Sequence, residues 1–268
     1  MVTEEQFHSI VEEVIRRLTR RMGELRRNEI IIVVFTGATV GLVEGVQQVR
    51  SLLLDGFQVK LAFSDSAGHL FAEMVQKELN DFTNLDLLSP EKWLSSLKQA
   101  RAVAVPMLSL NTVSKLSLLI ADDLVSNILL HALLLGKPLV MAKEGADPDG
   151  KGRRALGFHK GNAALNDAMM QRLKSLVDFG CILTGIGQLS NSVRSVIQQE
   201  GLRQSREQSL ISERPSMCPG GRVATAGDVL SAHQRGANLN LGPAGRVTPL
   251  ALDLARKLGI ALITAQKR

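Results

Sequence analysis

The stretch EIIIVVFTGATVGLVEGVQQVRSLLLDGFQVKLAFSDSAG, residues 29–68, changes its hydrophobic period twice. Ile30–Phe35 is an unbroken run of branched and aromatic side chains, as in a strand covered on both faces, and it ends in a small, polar turn. From Leu42 the apolar residues return at helical spacing until Gly56, and FQVKLAFS then reads as a second strand ending on Ser64. A strand, a helix and a strand in so short a span form a parallel pair with a right-handed crossover.

The alternation continues outward. A helix is expected over about 66–79, a short strand near Leu85–Leu88, and a helix in SPEKWLSSLKQA entered through Ser89 and Pro90. RAVAVPM reads as a buried strand, 110–135 as one long helix, GKPLVMA as a strand, and ALNDAMMQRLKSLVDFG as a helix closed by Gly180. The implied fold is α/β: a doubly wound, mainly parallel sheet with helices on both faces, Rossmann-like or flavodoxin-like in three layers. The reading divides the chain into an amphipathic N-terminal helix at 1–27, the sheet domain at 28–211, a linker at 212–222 and a small C-terminal appendage at 223–268. No internal repeat stands out. In the appendage, Thr248 and Pro249 open a helix that ends at Gly259 before an apolar strand. The polar, Gly-rich segment 143–160 reads either as a mobile active-site loop or as a disordered stretch.

Composition narrows the function classes. The 268 residues are 45% hydrophobic but only 3% aromatic, with no Tyr, so aliphatic and small side chains must fill the core. A net charge of +6 arises without basic runs interleaved with aromatics, which argues against a nucleic-acid partner. Two cysteines, Cys181 and Cys218, have no metal or disulfide spacing, and no apolar run is long enough to span a membrane. A cytoplasmic protein without a metal is the expectation. Cys181 reads as a core residue and Cys218, in the linker, as the more reactive thiol.

Ligands of open parallel sheets bind beyond the carboxyl ends of the strands. Three turns there carry small or hydroxyl residues: TGATVG at Thr36–Gly41, SDSAG at Ser64–Gly68 and SLNT at Ser109–Thr112. Each offers backbone N–H groups at a helix start together with side-chain donors, a set that suits a phosphate. The first turn lacks the G-x-G-x-x-G spacing of dinucleotide folds. His69 stands near the second turn with no carboxylate beside it in sequence, and His131 reads as a packing residue.

The stretch SLNTVSKLSLLIADDLVSNIL resembles the signature helix of the homo-oligomeric flavin-containing cysteine decarboxylase superfamily, the flavoprotein domain. Ser109, Asn111, Thr112, Lys115, Ala121, Asp122 and Leu124 stand in its register, and residues 33–67 resemble its opening βαβ unit. The resemblance implies FMN, held at Gly37, Ala38, Thr39, Ser64, Ser66, Ser109, Asn111 and Thr112, with Met141 at the end of the fifth strand completing the set. It also implies a homo-oligomer, a trimer or a multiple of one. Three features depart from that pattern, the first being Met107 in the place of the family's proline, with Pro106 one residue earlier. MAKEGADP replaces the family's Pro-Ala-Met-Asn loop, and LLSPEKWLSSLKQA lacks the His that cysteine decarboxylation uses.

The ends carry further resemblances. Phe7, Ile10, Val11, Val14, Ile15 and Leu18 form one apolar stripe, which suits an oligomerisation helix. EEVIRRLTRRM also resembles encapsulation helices of bacterial microcompartment enzymes, and RVTPLALDLARKLGI resembles a terminal element of microcompartment-associated proteins. These imply a place inside a microcompartment, docked on its shell or on a partner enzyme. The functional expectation is an FMN-binding flavoprotein with a redox or cofactor-maintenance role, an oxidoreductase in preference to a decarboxylase. One alternative is a decarboxylase, or a dipicolinate-synthase-like enzyme acting on a small carboxylate. Another is a non-enzymatic scaffold with a vestigial flavin site.

Overall fold

The computed structural model describes residues 29–212, 216–217, 223–242 and 245–263. The N-terminal stripe and Cys218, on which two of the expectations rest, lie outside them. Contacts divide the chain into two compact units meeting between Ile197 and Gln198.

The first unit is built on β1 (Ile30–Phe35), β2 (Gln58–Phe63), β3 (Leu85–Leu87), β4 (Ala102–Met107), β5 (Leu139–Ala142) and β6 (Ile182–Thr184). All pairings are parallel, and the strand order is β3-β2-β1-β4-β5-β6. Strand β1 alternates its side chains between two cores. Ile31, Val33 and Phe35 join α1 (Leu42–Leu54), α2 (Asp65–Glu78) and the start of α8 (Leu189–Ser212). Ile32 and Val34 join α3 (Trp93–Gln99), α4 (Leu110–Ser117), α5 (Leu124–Leu134) and α7 (Ala163–Asp178). Both faces are therefore covered, as the continuous apolar strands required.

The order reverses between β1 and β4, where the chain leaves β1 for one face and β4 for the other. That divergence opens the crevice in which doubly wound sheets bind ligands. Gly41, with φ of 81°, lets the turn after β1 swing into α1 in the left-handed region. Strand β4 carries one extra residue opposite Val33–Phe35, beside Pro106, which has no N–H to give the ladder.

The long helix read over 110–135 is two helices. Its break is a Schellman ending: Leu119 N–H donates to the Leu116 carbonyl at 3.0 Å and Ile120 N–H to the Lys115 carbonyl at 2.9 Å. Leu119 takes the left-handed position with φ of 59°, where the ends of α1, α5 and α7 use Gly56, Gly136 and Gly180. A leucine conceals this break in sequence, because only glycine or asparagine advertises it. Helix α5 then restarts on a capping box between Asp123 and Ser126.

The 143–160 segment is not wholly loop. It contains α6 (Lys151–Ala155) and packs on the turn after β1. A Cβ on Gly145 would lie 2.6 Å from both Ala38 Cβ and the Leu108 carbonyl oxygen, and one on Gly152 would lie 2.2 Å from Val40. Glu144 Oε1 accepts from Ile186 N–H at 2.8 Å, and Arg153 Nη1 donates to the Gly145 carbonyl at 3.2 Å.

The second unit holds a repeat that the sequence reading missed. Its halves are β8 (Val223–Ala224), α9 (Ala226–Gln234) and β9 (Asn238–Asn240), then β10 (Arg246–Val247), α10 (Pro249–Leu258) and β11 (Leu262–Ile263). Thr225, Ala232, Gly236 and Leu239 each stand 23 residues before Thr248, Ala255, Gly259 and Leu262. In each half the threonine is the N-cap, the alanine is buried and the glycine is left-handed. Strand β8 pairs with β10 and β9 with β11, both parallel, and β7 (Ser216–Met217) adds to β9. The identities are few and the helices differ by one residue, so the repeat is plain in hydrogen bonding and faint in composition.

Candidate functional site

The three polar turns read from the sequence converge. Gly37, Ser64, Ser66, Ser109, Asn111 and Thr112 line one cleft of about 200 Å³ with Asp65, Lys115, Asp123, Val125 and Ser126. It lies beyond the carboxyl tips of β1, β2 and β4, beside the reversal point of the sheet. Of the expected set, Ala38 is buried, Thr39 is exposed and neither lines the cleft. Met141 is fully buried in the core beneath α5, because β5 directs that position between sheet and helix. The structure therefore does not bring Met141 to the site.

Two serines cap the helices that face the cleft. Ser64 Oγ accepts from Ala67 N–H at 3.2 Å and opens α2; Ser109 Oγ accepts from Thr112 N–H at 3.3 Å and opens α4. Ser109 Oγ also lies 3.0 Å from Thr112 Oγ1. The earlier first-turn N–H groups of each helix have no partner within the helix, so they are free to meet an anion. Gly37 permits the turn after β1 to approach α2: a Cβ there would lie 2.7 Å from Ser66 Cβ.

A third helix start, that of α5, was hidden in the sequence by the continuous leucine pattern. Asp123 Oδ1 accepts from Ser126 N–H at 2.7 Å, and Ser126 Oγ accepts from Asp123 N–H at 3.0 Å. The spacing of these two residues was the available signal. Lys115 Nζ bridges Asp122 at 2.7 Å and Asp123 at 2.6 Å. Its hydrogen bonds to the Asp122 and Asp123 carboxylates push the Lys115 ammonium up to about 12. Burial raises the Asp123 carboxyl, but its bonds to Lys115 and Ser126 together outweigh that and leave it below the ordinary value. The Lys115 charge is thus already neutralised, and anion recognition in this cleft falls to N–H groups and hydroxyls.

Thr36 is the residue that the sequence reading passed over within its own turn. It is fully buried, its Oγ1 donates to the Met107 carbonyl at 2.5 Å, and it accepts from Ser109 N–H at 2.8 Å.

The histidines lie elsewhere. His69 is exposed along α2 beside Leu70 and Glu73. His131 packs edge-on to Trp93, centroids 5.1 Å apart, and its Nδ1 lies 2.9 Å from the Asn127 carbonyl oxygen. At the β5 tip, Glu144 Oε2 and Arg153 Nε are buried without a hydrogen-bond partner. Lys143 pairs with Asp147 at 2.8 Å. Among the described residues, no group of three or more His, Cys, Asp or Glu side chains could hold a metal ion, and no helix is long and apolar enough to cross a membrane.

A family described as "Flavoprotein" matches residues 19–156. No curated protein matches the chain. Among solved structures, the FMN-dependent cysteine decarboxylase TvaF from thioviridamide biosynthesis is 17% identical with a TM-score of 0.49, covering 63% of this chain and 98% of its own. The phenylacrylic acid decarboxylase from Aquifex aeolicus is 20% identical with a TM-score of 0.43, covering 64% and 93%. The dodecameric FMN-dependent UbiX-like decarboxylase from Escherichia coli O157:H7 is 18% identical with a TM-score of 0.44, covering 64% and 94%.

Proposed function

Because the chain belongs to the Flavoprotein family, we propose that its strand-tip cleft binds FMN by the phosphate. The observation that carries this reading is the meeting of three hydroxyl-bearing tips, with Gly37 held so close to Ser66 that any side chain would intrude. The residues fit the group. A phosphate requires several donors and a positive potential, and two serine-capped helix starts supply both at the cleft. Gly37, Ser64, Ser66, Ser109, Asn111 and Thr112 would hold it. Asp65 and Asp123 add negative charge at the edge, offset in part by Lys115 and opposed by the helix dipoles.

Bound FMN supplies one- and two-electron redox chemistry. The chain's own contribution is to bind and orient the cofactor, and we read its activity as redox or cofactor maintenance rather than cysteine decarboxylation. What supports this is the β5 tip. It carries Lys143, Glu144 and Gly145 and no asparagine, with Lys143 paired to Asp147 and Glu144 bonded to Ile186. A homo-oligomer belongs to the same reading: Leu118, Leu119 and Ile120, consecutive and each 42% exposed or more, form an apolar knuckle next to Asp122.

The test is direct. Purified protein should carry flavin absorbance or take up added FMN, with stabilisation of about 2.7 kcal/mol at a hundredfold excess over Kd. Chemical or pyridine-nucleotide reduction of the bound flavin without carbon dioxide release from acyl-cysteine substrates would support the redox reading. Release of carbon dioxide would replace it with decarboxylation. No flavin and no stabilisation would end the proposal.

A further inference from the structure

At the reversal point of the sheet, the β1–β4 ladder stops because the two chains leave for opposite faces. A ladder that stops inside a covered sheet strands backbone groups where water does not reach them. Here those groups are the Met107 carbonyl, just past the extra residue of β4, and the Ser109 N–H, immediately before α4. One buried hydroxyl, Thr36 Oγ1, serves both: it donates to the first at 2.5 Å and accepts from the second at 2.8 Å.

The residues flanking this bridge face the cleft. Gly37 follows Thr36 directly, and Ser109 both donates its N–H to Thr36 and caps α4. With the Ser109 N–H fixed, its hydroxyl meets Thr112 Oγ1 and Thr112 N–H, and Ser109, Asn111 and Thr112 line the cleft together with Gly37. Resting on the FMN reading above, we propose that Thr36 is a positioning residue that ties the β1 and α4 halves of the phosphate site together across the sheet reversal. It touches no ligand, and its effect is on the phosphate and not on the flavin ring. A structural role alone would weaken every ligand and the fold alike.

This difference sets the experiment: Kd for FMN and for riboflavin, measured by flavin fluorescence on apo-protein of the full chain. Comparison covers the wild type, Thr36→Val, which keeps the shape and removes the hydroxyl, and Thr36→Ser, which keeps the hydroxyl. Thr36→Val should reduce the preference for FMN over riboflavin about tenfold, a part of the penalty for the two buried polar groups it strands, and Thr36→Ser should restore it to within about threefold of wild type. An unchanged preference in Thr36→Val, or a loss that Thr36→Ser does not rescue, overturns the inference. If Thr36→Val does not fold, Thr36→Ala against Thr36→Ser gives the same comparison: a reduced preference in the alanine variant alone supports the bridge, and equal preferences overturn it. A wild type that binds neither flavin refutes the FMN reading itself, whereas a wild type that prefers FMN with an indifferent Thr36→Val refutes only this step.

Discussion

Placing a methyl group on Gly37 tests the convergence of the strand tips most sharply. In Gly37→Ala the new Cβ would lie 2.7 Å from Ser66 Cβ, against an optimum near 3.5–4.0 Å for two carbons. Ser66 cannot swing its Cβ aside, because that atom is fixed by the backbone of the first turn of α2. The β1 turn and the α2 start must therefore part by about 1 Å, at an overpacking cost of about 1–3 kcal/mol. A phosphate gripped from both sides loses contact with one of them, so FMN affinity should fall roughly ten- to hundredfold, at about 1.4 kcal/mol per decade. Gly68→Ala is the control: it lies on the same helix with nothing within 4 Å of the added carbon. It should gain about 0.5–1 kcal/mol of stability from the helical backbone and leave binding alone. The readout is flavin titration of both variants with parallel thermal melts. A Gly37→Ala protein that binds FMN within twofold of wild type would show that the closeness of these tips has no part in binding.

Other consequences can be measured without flavin. Leu119→Gly should raise stability by about 1 kcal/mol, since a side chain in the left-handed region costs that much; a melt no higher than wild type would count against the strain at φ 59°. Gly145→Ala would press a methyl against Ala38 and the Leu108 carbonyl, and should destabilise by about 1–3 kcal/mol; limited proteolysis should then cut within 143–160 sooner. Asp123 titrates below its ordinary value of 3.8 in the folded chain, so its stabilisation is complete above that pH and fades as pH falls through the lowered value. Lys115, raised from 10.5 to about 12, stabilises fully below 10.5 and less as pH climbs through 12. The stability difference between wild type and Asp123→Asn should therefore be flat across neutral pH and shrink in acid; a difference that grows below pH 4 would refute the pairing. Burial pushes the Cys181 thiol up to about 12, so iodoacetamide at pH 8 should spare it in the native protein and label it after unfolding, as peptide mapping would show.

Much of the fold was legible because apolar runs and turn residues agree locally: Ile30–Phe35 has no helical reading, and Ser64, Ser109 and Thr248 stand where helices begin. Legibility failed where a residue type contradicted its backbone. Leu119 in a glycine's place fused α4 and α5 into one expected helix, and with the break went the third helix start and the position of Asp123. Met141 was misplaced because a strand's end does not reveal which face its last side chains take. Thr36 was overlooked for a different reason. Its role arises from strands far apart in sequence, Met107 lying 71 residues and Ser109 73 residues on, and no local pattern records such a bridge.

The repeated C-terminal unit has a consequence for its assembly. Neither half contains a ladder of its own, since β8 is bonded to β10 and β9 to β11. A chain ending at residue 245 would retain α9 and both of its flanking segments yet lose their strand partners from the later half. Only β7 would remain as a partner for β9, so a small deletion at the far end of the unit should loosen both halves at once.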